Sequence, residues 1–66
     1  MATGKITAWK NDRGFGFVLP DTVGEDELFV HISQFQNEIA PRVGDKVSYR
    51  IGDNRGRPCA VDCEVL

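Results

Sequence analysis

The sequence predicts an all-β fold, a small five-stranded antiparallel barrel, from three observations. The chain has 66 residues, which is the size of one small domain. Its apolar residues fall in five short runs that alternate with polar residues, as half-buried strands do. Turn-forming residues separate these runs, and no segment has the longer period of a helix. We expect one domain over residues 1–66, either by itself or as the N-terminal module of a longer protein.

The strand boundaries follow from the alternation and the turn signals. Asn11 and Asp12 supply a turn after the first strand, and Pro20 ends the second strand before an acidic loop. Residues 33–43 are expected to hold a short helical turn and a long loop, because Pro41 limits any helix there. The predicted strands cover residues 5–9, 15–19, 27–32, 46–51 and 59–65.

One face of these strands supplies enough apolar side chains to fill a small barrel. Successive side chains of a strand point to opposite faces, so every second residue belongs to the same face. The expected inward set is Ile6, Ala8, Val18, Leu28, Val30, Ile32, Val47, Tyr49, Ile51, Val61 and Cys63. Cys59 and Cys63 would lie about 13 Å apart along one strand, at ~3.3 Å per residue, so they cannot form a disulfide with each other.

The segment DRGFGFV, residues 12–18, places aromatic rings on the opposite face. Phe15 and Phe17 alternate with Gly14 and Gly16, so both rings point the same way. The glycines, which lack a Cβ, would allow strong coiling of the strand and close packing inside the barrel. On this outer face we expect Trp9, Phe15, Phe17, Phe29 and His31, together with Lys5 and Lys10. Burying these rings instead would expose the apolar side chains of the third strand.

The chemistry of this face suits unpaired nucleic-acid bases. Exposed aromatic patches on a monomer commonly bind something, and flat rings stack on bases at about 1–3 kcal/mol per base. Lys5, Lys10 and Arg13 cluster around the first two strands, where they can meet phosphates. The net charge of −2 predicts weaker electrostatic attraction than a basic protein would have. Single-stranded RNA or DNA is therefore the expected partner.

Several interpretations stay open at this point. Phe35 either extends the aromatic face or closes the end of the barrel, and Arg57 is either a phosphate contact or a solvated turn residue. The alternative function is a protein-interaction or self-associating barrel that uses the same face. We expect a monomer or a weak homodimer.

Other classes of function have little support in the sequence. His31 has no nucleophile at an obvious spacing and no paired carboxylates share a cleft, so we expect no enzyme and no small-molecule substrate. Two cysteines and one histidine fall short of the usual four metal ligands, so we expect no metal and no cofactor. No apolar run approaches the roughly 20 residues of a membrane helix, and the N-terminus lacks a signal-peptide core. We expect a cytoplasmic protein with no membrane contact through this segment.

The same residues make the sequence resemble a cold-shock domain. RGFGFV at residues 13–18 and LFVHIS at residues 28–33 are similar to the two ribonucleoprotein-type motifs of that family, and further matches cover nearly the whole chain. The resemblance implies a five-stranded OB-fold barrel that binds single-stranded RNA or DNA and destabilises RNA secondary structure as a chaperone. It implies a binding face at Trp9, Phe15, Phe17, Phe29 and His31, supported by Lys5, Arg13, Phe35 and Arg57.

This sequence departs from the family's pattern near the first motif. The family commonly has Lys-Trp-Phe-Asn, whereas this chain has Ala8-Trp9-Lys10-Asn11 and one residue fewer before the glycine motif. Ile32 follows the histidine where phenylalanine is common. One basic and two aromatic contacts are therefore missing, with Lys10 as a partial replacement, and we expect weaker binding than in a free-standing cold-shock protein.

Overall fold

Five strands form close to the predicted places in the computed structural model, which describes residues 2–35 and 39–66. A short 3-10 helix follows the third strand, as expected for the start of the long loop; residues 36–38 of that loop lie outside the described residues. The elements are β1 Ala2–Lys10, β2 Phe15–Pro20, β3 Leu28–His31, the 3-10 helix Ile32–Gln34, β4 Lys46–Asn54 and β5 Arg57–Val65.

The strands close into a barrel in the order β1-β2-β3-β5-β4. Four of the pairings are antiparallel, but β3 and β5 run parallel, with Phe29 opposite Cys59. The expectation of a purely antiparallel barrel is therefore wrong at this one pairing. The reason is geometric, because an odd number of strands in a closed ring cannot alternate in direction all the way round.

A β-bulge at Thr7 reverses the alternation in the second half of β1. Ile6 pairs with Val18 and Ala8 pairs with Phe17, so Thr7 has no partner in the ladder. An extra residue of this kind moves every later side chain of the strand to the other face. Ala8 and Lys10 consequently share the outer face with the aromatic residues of β2, while Trp9 turns toward the barrel interior.

The core is built largely from the predicted inward set. Ile6, Val18, Leu28, Val30, Val47, Tyr49 and Cys63 are buried, as expected. Phe35 and Ala60 complete the cluster. A register shift in β5, where Asp62 has a φ of 50°, lets both Ala60 and Cys63 face the core although they are three residues apart.

Four members of the predicted inward set are not buried. Ala8, Ile32 and Val61 are only half-buried, and Ile51 is 59% exposed. The bulge accounts for Ala8. Among the described residues, β1 pairs with β4 only as far as Tyr49, and Ile51 lies beyond this ladder in the β4–β5 hairpin, where it is exposed. Within residues 2–35 and 39–66, no helix has the length and apolar character that crossing a membrane requires.

Candidate nucleic-acid interface

Three phenylalanine rings lie together on the outer face of β2 and β3, and we call them the aromatic cluster (Phe15, Phe17 and Phe29). Phe17 pairs directly with Phe29 across the two strands. The ring centroids of Phe15 and Phe29 are 5.5 Å apart with the planes 30° from parallel, and both rings meet Phe17 edge-on at 6.3 and 6.2 Å. All three rings are half-buried and belong to no core cluster. The three rings thus lie on the side of β2 and β3 that faces away from the core, and their role as a binding face stays a prediction.

Gly16 explains why β2 carries rings on one face only. A Cβ built on Gly16 would overlap the carbonyl oxygen of Ala8 and lie 2.5 Å from Cε3 of Trp9. The inner side of this position is therefore filled by the neighbouring strand and its indole ring. Gly14 has a different role, because its φ of 72° belongs to the turn before β2. The expected close packing is thus confirmed at Gly16.

Trp9 does not lie with the aromatic cluster, so its predicted placement on the outer face is wrong. The residue pairs with Gly16, packs against the core, and meets the ring of Phe35 edge-on at a centroid distance of 5.9 Å. Its indole Nε1 is buried and has no hydrogen-bond partner. The physical cause is the bulge at Thr7, which turns Trp9 inward and Lys10 outward.

Phe35 closes one end of the barrel and does not extend the aromatic face. Its side chain is only 4% exposed, and it forms an isolated bridge with Cys63 just after the 3-10 helix. Of the two interpretations left open by the sequence, the structure supports the barrel-closing one. The assignment of Phe35 to the binding face is corrected accordingly.

His31 lies at the edge of the aromatic cluster. It pairs with Phe15 across the two strands and is exposed to solvent. Its Nδ1 accepts a hydrogen bond from the backbone N–H of Ser33 at 3.1 Å, which caps the 3-10 helix. The ring is therefore held in place by its own chain, on the face where the sequence predicted it.

The predicted basic residues surround the cluster on two sides. Lys10 is exposed and pairs with Phe15, so Lys10, Phe15 and His31 form one row across three strands. Lys5 is exposed opposite Leu19, and Arg13 lies in the turn before β2. In the part of the chain that the structure describes, none of these cations forms a salt bridge. Their charge is available to a ligand.

Arg57, Arg50 and Lys46 are not part of this row. Arg57 is exposed at the start of β5, opposite Asn54. Arg50 lies 3.8 Å from the carboxylate of Asp62. Lys46 lies 3.2 Å from the carboxylate of Asp21, and hydrogen bonds from Thr3 and Lys46 hold the pKa of Asp21 below its usual value. These two ion pairs neutralise the positive charges of Lys46 and Arg50 on β4.

Sequence reasoning missed two residues that border the aromatic cluster. Leu19 is 42% exposed and follows Phe15 and Phe17 on the same face of β2. The hydroxyl of Thr7 donates a hydrogen bond to Glu27, which brings a carboxylate to the same face. The alternation of β2 could have identified Leu19, because it lies two residues after Phe17. No alternation signal could have identified Thr7, because its position depends on the bulge.

The cysteines play a structural part. Cys59 and Cys63 are both buried and unbridged. Burial, with a smaller effect of Asp62, raises the pKa of the Cys63 thiol to about 11. Among the described residues, no group of three or more His, Cys, Asp or Glu side chains could hold a metal ion.

Comparison with known proteins identifies a family that this sequence matches. The family model described as the 'Cold-shock' DNA-binding domain matches residues 2–66. The major cold shock protein CspA of Bacillus cereus is 39% identical over 57 residues, which cover 82% of this chain and 82% of that protein. Cold shock domain-containing protein CG9705 of Drosophila melanogaster is 37% identical over 51 residues, 77% of this chain.

The relatives differ in length. The match covers 35% of the Drosophila protein and 30% of the mouse cold shock domain-containing protein C2, so this chain spans about a third of these longer relatives. Among solved structures, Drosophila Unr CSD456 superposes on 98% of this chain and 26% of that one, with a TM-score of 0.78 and 23% identity. At that identity the superposition shows the fold, and the predicted OB-fold barrel is confirmed.

Proposed function

Because this chain belongs to the cold-shock domain family, whose members are nucleic-acid-binding domains, we propose that it binds single-stranded RNA or DNA through the outer face of β1, β2 and β3. The observation that carries the proposal is the aromatic cluster. Its three rings lie 5.5 to 6.3 Å from one another on a face that the core does not use. Unpaired bases have flat apolar faces and stack on such rings with little dependence on sequence.

The cations beside the cluster support a nucleic-acid ligand. Lys10 shares a row with Phe15 and His31. Lys5 lies opposite Leu19 of β2, and Arg13 lies in the turn that precedes β2. Bases stacked on the rings would leave their phosphates at the margin of the face, where these side chains can neutralise them. Few phosphates would be contacted in this way, so we expect a shallow dependence of affinity on salt.

Binding of this kind would also destabilise RNA secondary structure without catalysis. A duplex hides the faces of its bases, so the aromatic cluster can stack only on the open strand. A ligand that binds one of two states shifts the equilibrium toward that state by mass action. The proposed activity is thus that of an RNA chaperone that needs no ATP, acting as a cytoplasmic monomer or weak homodimer.

The test is the affinity for a fluorescently labelled oligothymidine, measured by anisotropy. Replacement of Phe15 or Phe29 by Ala removes one stacking surface, so we expect about tenfold weaker binding or more. Phe15→Leu keeps apolar bulk without a flat ring and should still bind more weakly than the native chain. Val23→Ala is a matched control, because Val23 is 98% exposed in the loop after β2. Unchanged affinity in both alanine variants, with folding verified by circular dichroism, would contradict the proposal.

A second candidate function is a protein contact through the same face. The observation that favours it is the continuous apolar row of Phe15, Phe17 and Leu19, on a chain with a net charge of −2. Sedimentation analysis of the free chain separates the two functions. A mass that rises with concentration, together with no change in oligothymidine anisotropy, would favour self-association over nucleic-acid binding.

A further inference from the structure

His31 is held in one of its two neutral tautomers by the backbone that follows it. The N–H of Ser33 lies 3.1 Å from Nδ1, and a backbone N–H can only donate. Nδ1 therefore offers its lone pair and carries no hydrogen. The single proton of the neutral ring is consequently on Nε2. The Ser33 hydroxyl also lies 3.0 Å from Nδ1, on the same side of the ring.

The proton on Nε2 has no acceptor within the described residues. No hydrogen bond joins Nε2 to residues 2–35 or 39–66, and His31 is exposed. The turn at Gly14 approaches this nitrogen, since a Cβ added there would lie 3.9 Å from Nε2. Gly14 has no side chain to cover the nitrogen. A polarised N–H therefore points into solvent at the edge of the aromatic cluster, in the row that also holds Phe15 and Lys10.

We propose that the backbone of Ser33 fixes His31 as the Nε2–H tautomer so that the ring donates a hydrogen bond to an acceptor oxygen of the bound strand. This inference rests on the proposed function, because the acceptor belongs to the nucleic acid. The oxygen is either a base carbonyl or a phosphate oxygen, since both accept from an N–H donor. Ser33 is thus a positioning residue, and His31 adds directional recognition to a face that otherwise stacks.

The tautomer is read directly from the free protein. In a ¹⁵N-labelled chain at about pH 8, long-range ¹H–¹⁵N correlation spectra distinguish the two nitrogens of the ring. We expect the pattern of a protonated Nε2 in the native chain. Ser33→Ala keeps the backbone N–H and should show the same pattern. An Nδ1–H pattern in the native chain, or a change of tautomer in Ser33→Ala, would refute the role of the backbone bond.

The donor is tested by a single methyl group. A chain of 66 residues is accessible to chemical synthesis, so His31 can be replaced by its Nε2-methylated form. The modification keeps the ring and leaves Nδ1 free to accept from Ser33, but it removes the donor. We expect about threefold to tenfold weaker binding of oligothymidine, the range of one net hydrogen bond. Equal affinity of the methylated and native chains would overturn the proposal.

The source of the oxygen is identified with a modified oligonucleotide. Difluorotoluene nucleotides keep the shape of thymine but lack its carbonyl acceptors. If the donor meets a base, the methylated and native chains should bind this oligonucleotide equally; if it meets a phosphate, the difference in affinity should persist. Failure of the native chain to bind any oligonucleotide would refute the acceptor and the proposed function together. In that case the spectrum of the free chain would still decide the tautomer.

Discussion

Replacement of Gly16 by Ala tests the packing that separates the two faces of β2. The added methyl would overlap the carbonyl oxygen of Ala8 and lie 2.5 Å from Cε3 and 3.0 Å from Cα of Trp9. Two of these three atoms belong to the backbone of β1, so no rotation of a side chain relieves the overlap. Overpacking of this kind costs about 1–3 kcal/mol, and we expect the upper end of that range.

The expected loss is large for a small domain. For a chain of this size each kcal/mol lowers the melting temperature by about 4–8 °C, so Gly16→Ala should lower it by roughly 12–24 °C. Thermal unfolding followed by circular dichroism measures this shift. Gly52→Ala is the matched control, because the atoms nearest its added methyl belong to the side chain of Val61, at 2.7 Å. A melting temperature for Gly16→Ala equal to or above that of Gly52→Ala would refute the reasoning.

Three further predictions concern the site and the core. Trp9→Phe should leave the affinity for oligothymidine within about twofold of the native value, because Trp9 packs against the core and not with the aromatic cluster. A tenfold loss of affinity, which corresponds to about 1.4 kcal/mol of binding free energy, would return Trp9 to the binding face. Lys10→Ala should weaken binding and reduce the slope of log affinity against log salt concentration by about 0.7, the value for one phosphate of a single strand. Arg50→Ala should leave this slope unchanged, because Arg50 is already paired with Asp62. Stability should fall between pH 9 and about 11, because burial raises the pKa of the Cys63 thiol to about 11, while in the unfolded chain the pKa of this thiol is near 9.0. A pH dependence of unfolding in Cys63→Ala identical to that of the native chain would contradict the last prediction.

Most of the fold was predictable because alternation and turn residues are local signals. The five strands, the inward side chains of β2 and β3, and the outward phenylalanines all follow from a period of two between turn signals. The position of the aromatic cluster opposite the core was therefore predictable from parity alone. His31 followed from the same parity, since it is two residues after Phe29.

The wrong predictions concern features that the local alternation of side chains does not predict. The bulge at Thr7 adds a residue to β1 without any turn-forming residue, and so Ala8 lies outward and Trp9 inward, the reverse of the prediction. Phe35 lies after the last regular alternation of β3, and its burial depends on a bridge to Cys63 from a distant strand. Ile51 is exposed because it lies beyond Tyr49, the last residue of β4 in the described ladder with β1, which is a property of the pairing and not of β4 itself.

The single parallel pairing has a further consequence for how the sheet opens. Between β3 and β5 the described ladder contains one residue pair, Phe29 with Cys59, and an isolated bridge from Phe35 to Cys63 follows it. Each of the other neighbouring strands is joined by four or more pairs. Segments with few protected amides open at low free energy, so among the strand pairings of the barrel hydrogen exchange should be fastest between β3 and β5. The seam between these two strands passes directly beside Phe29. A strand of nucleic acid bound across it would therefore oppose the separation of β3 from β5, the pairing with the fewest described residue pairs.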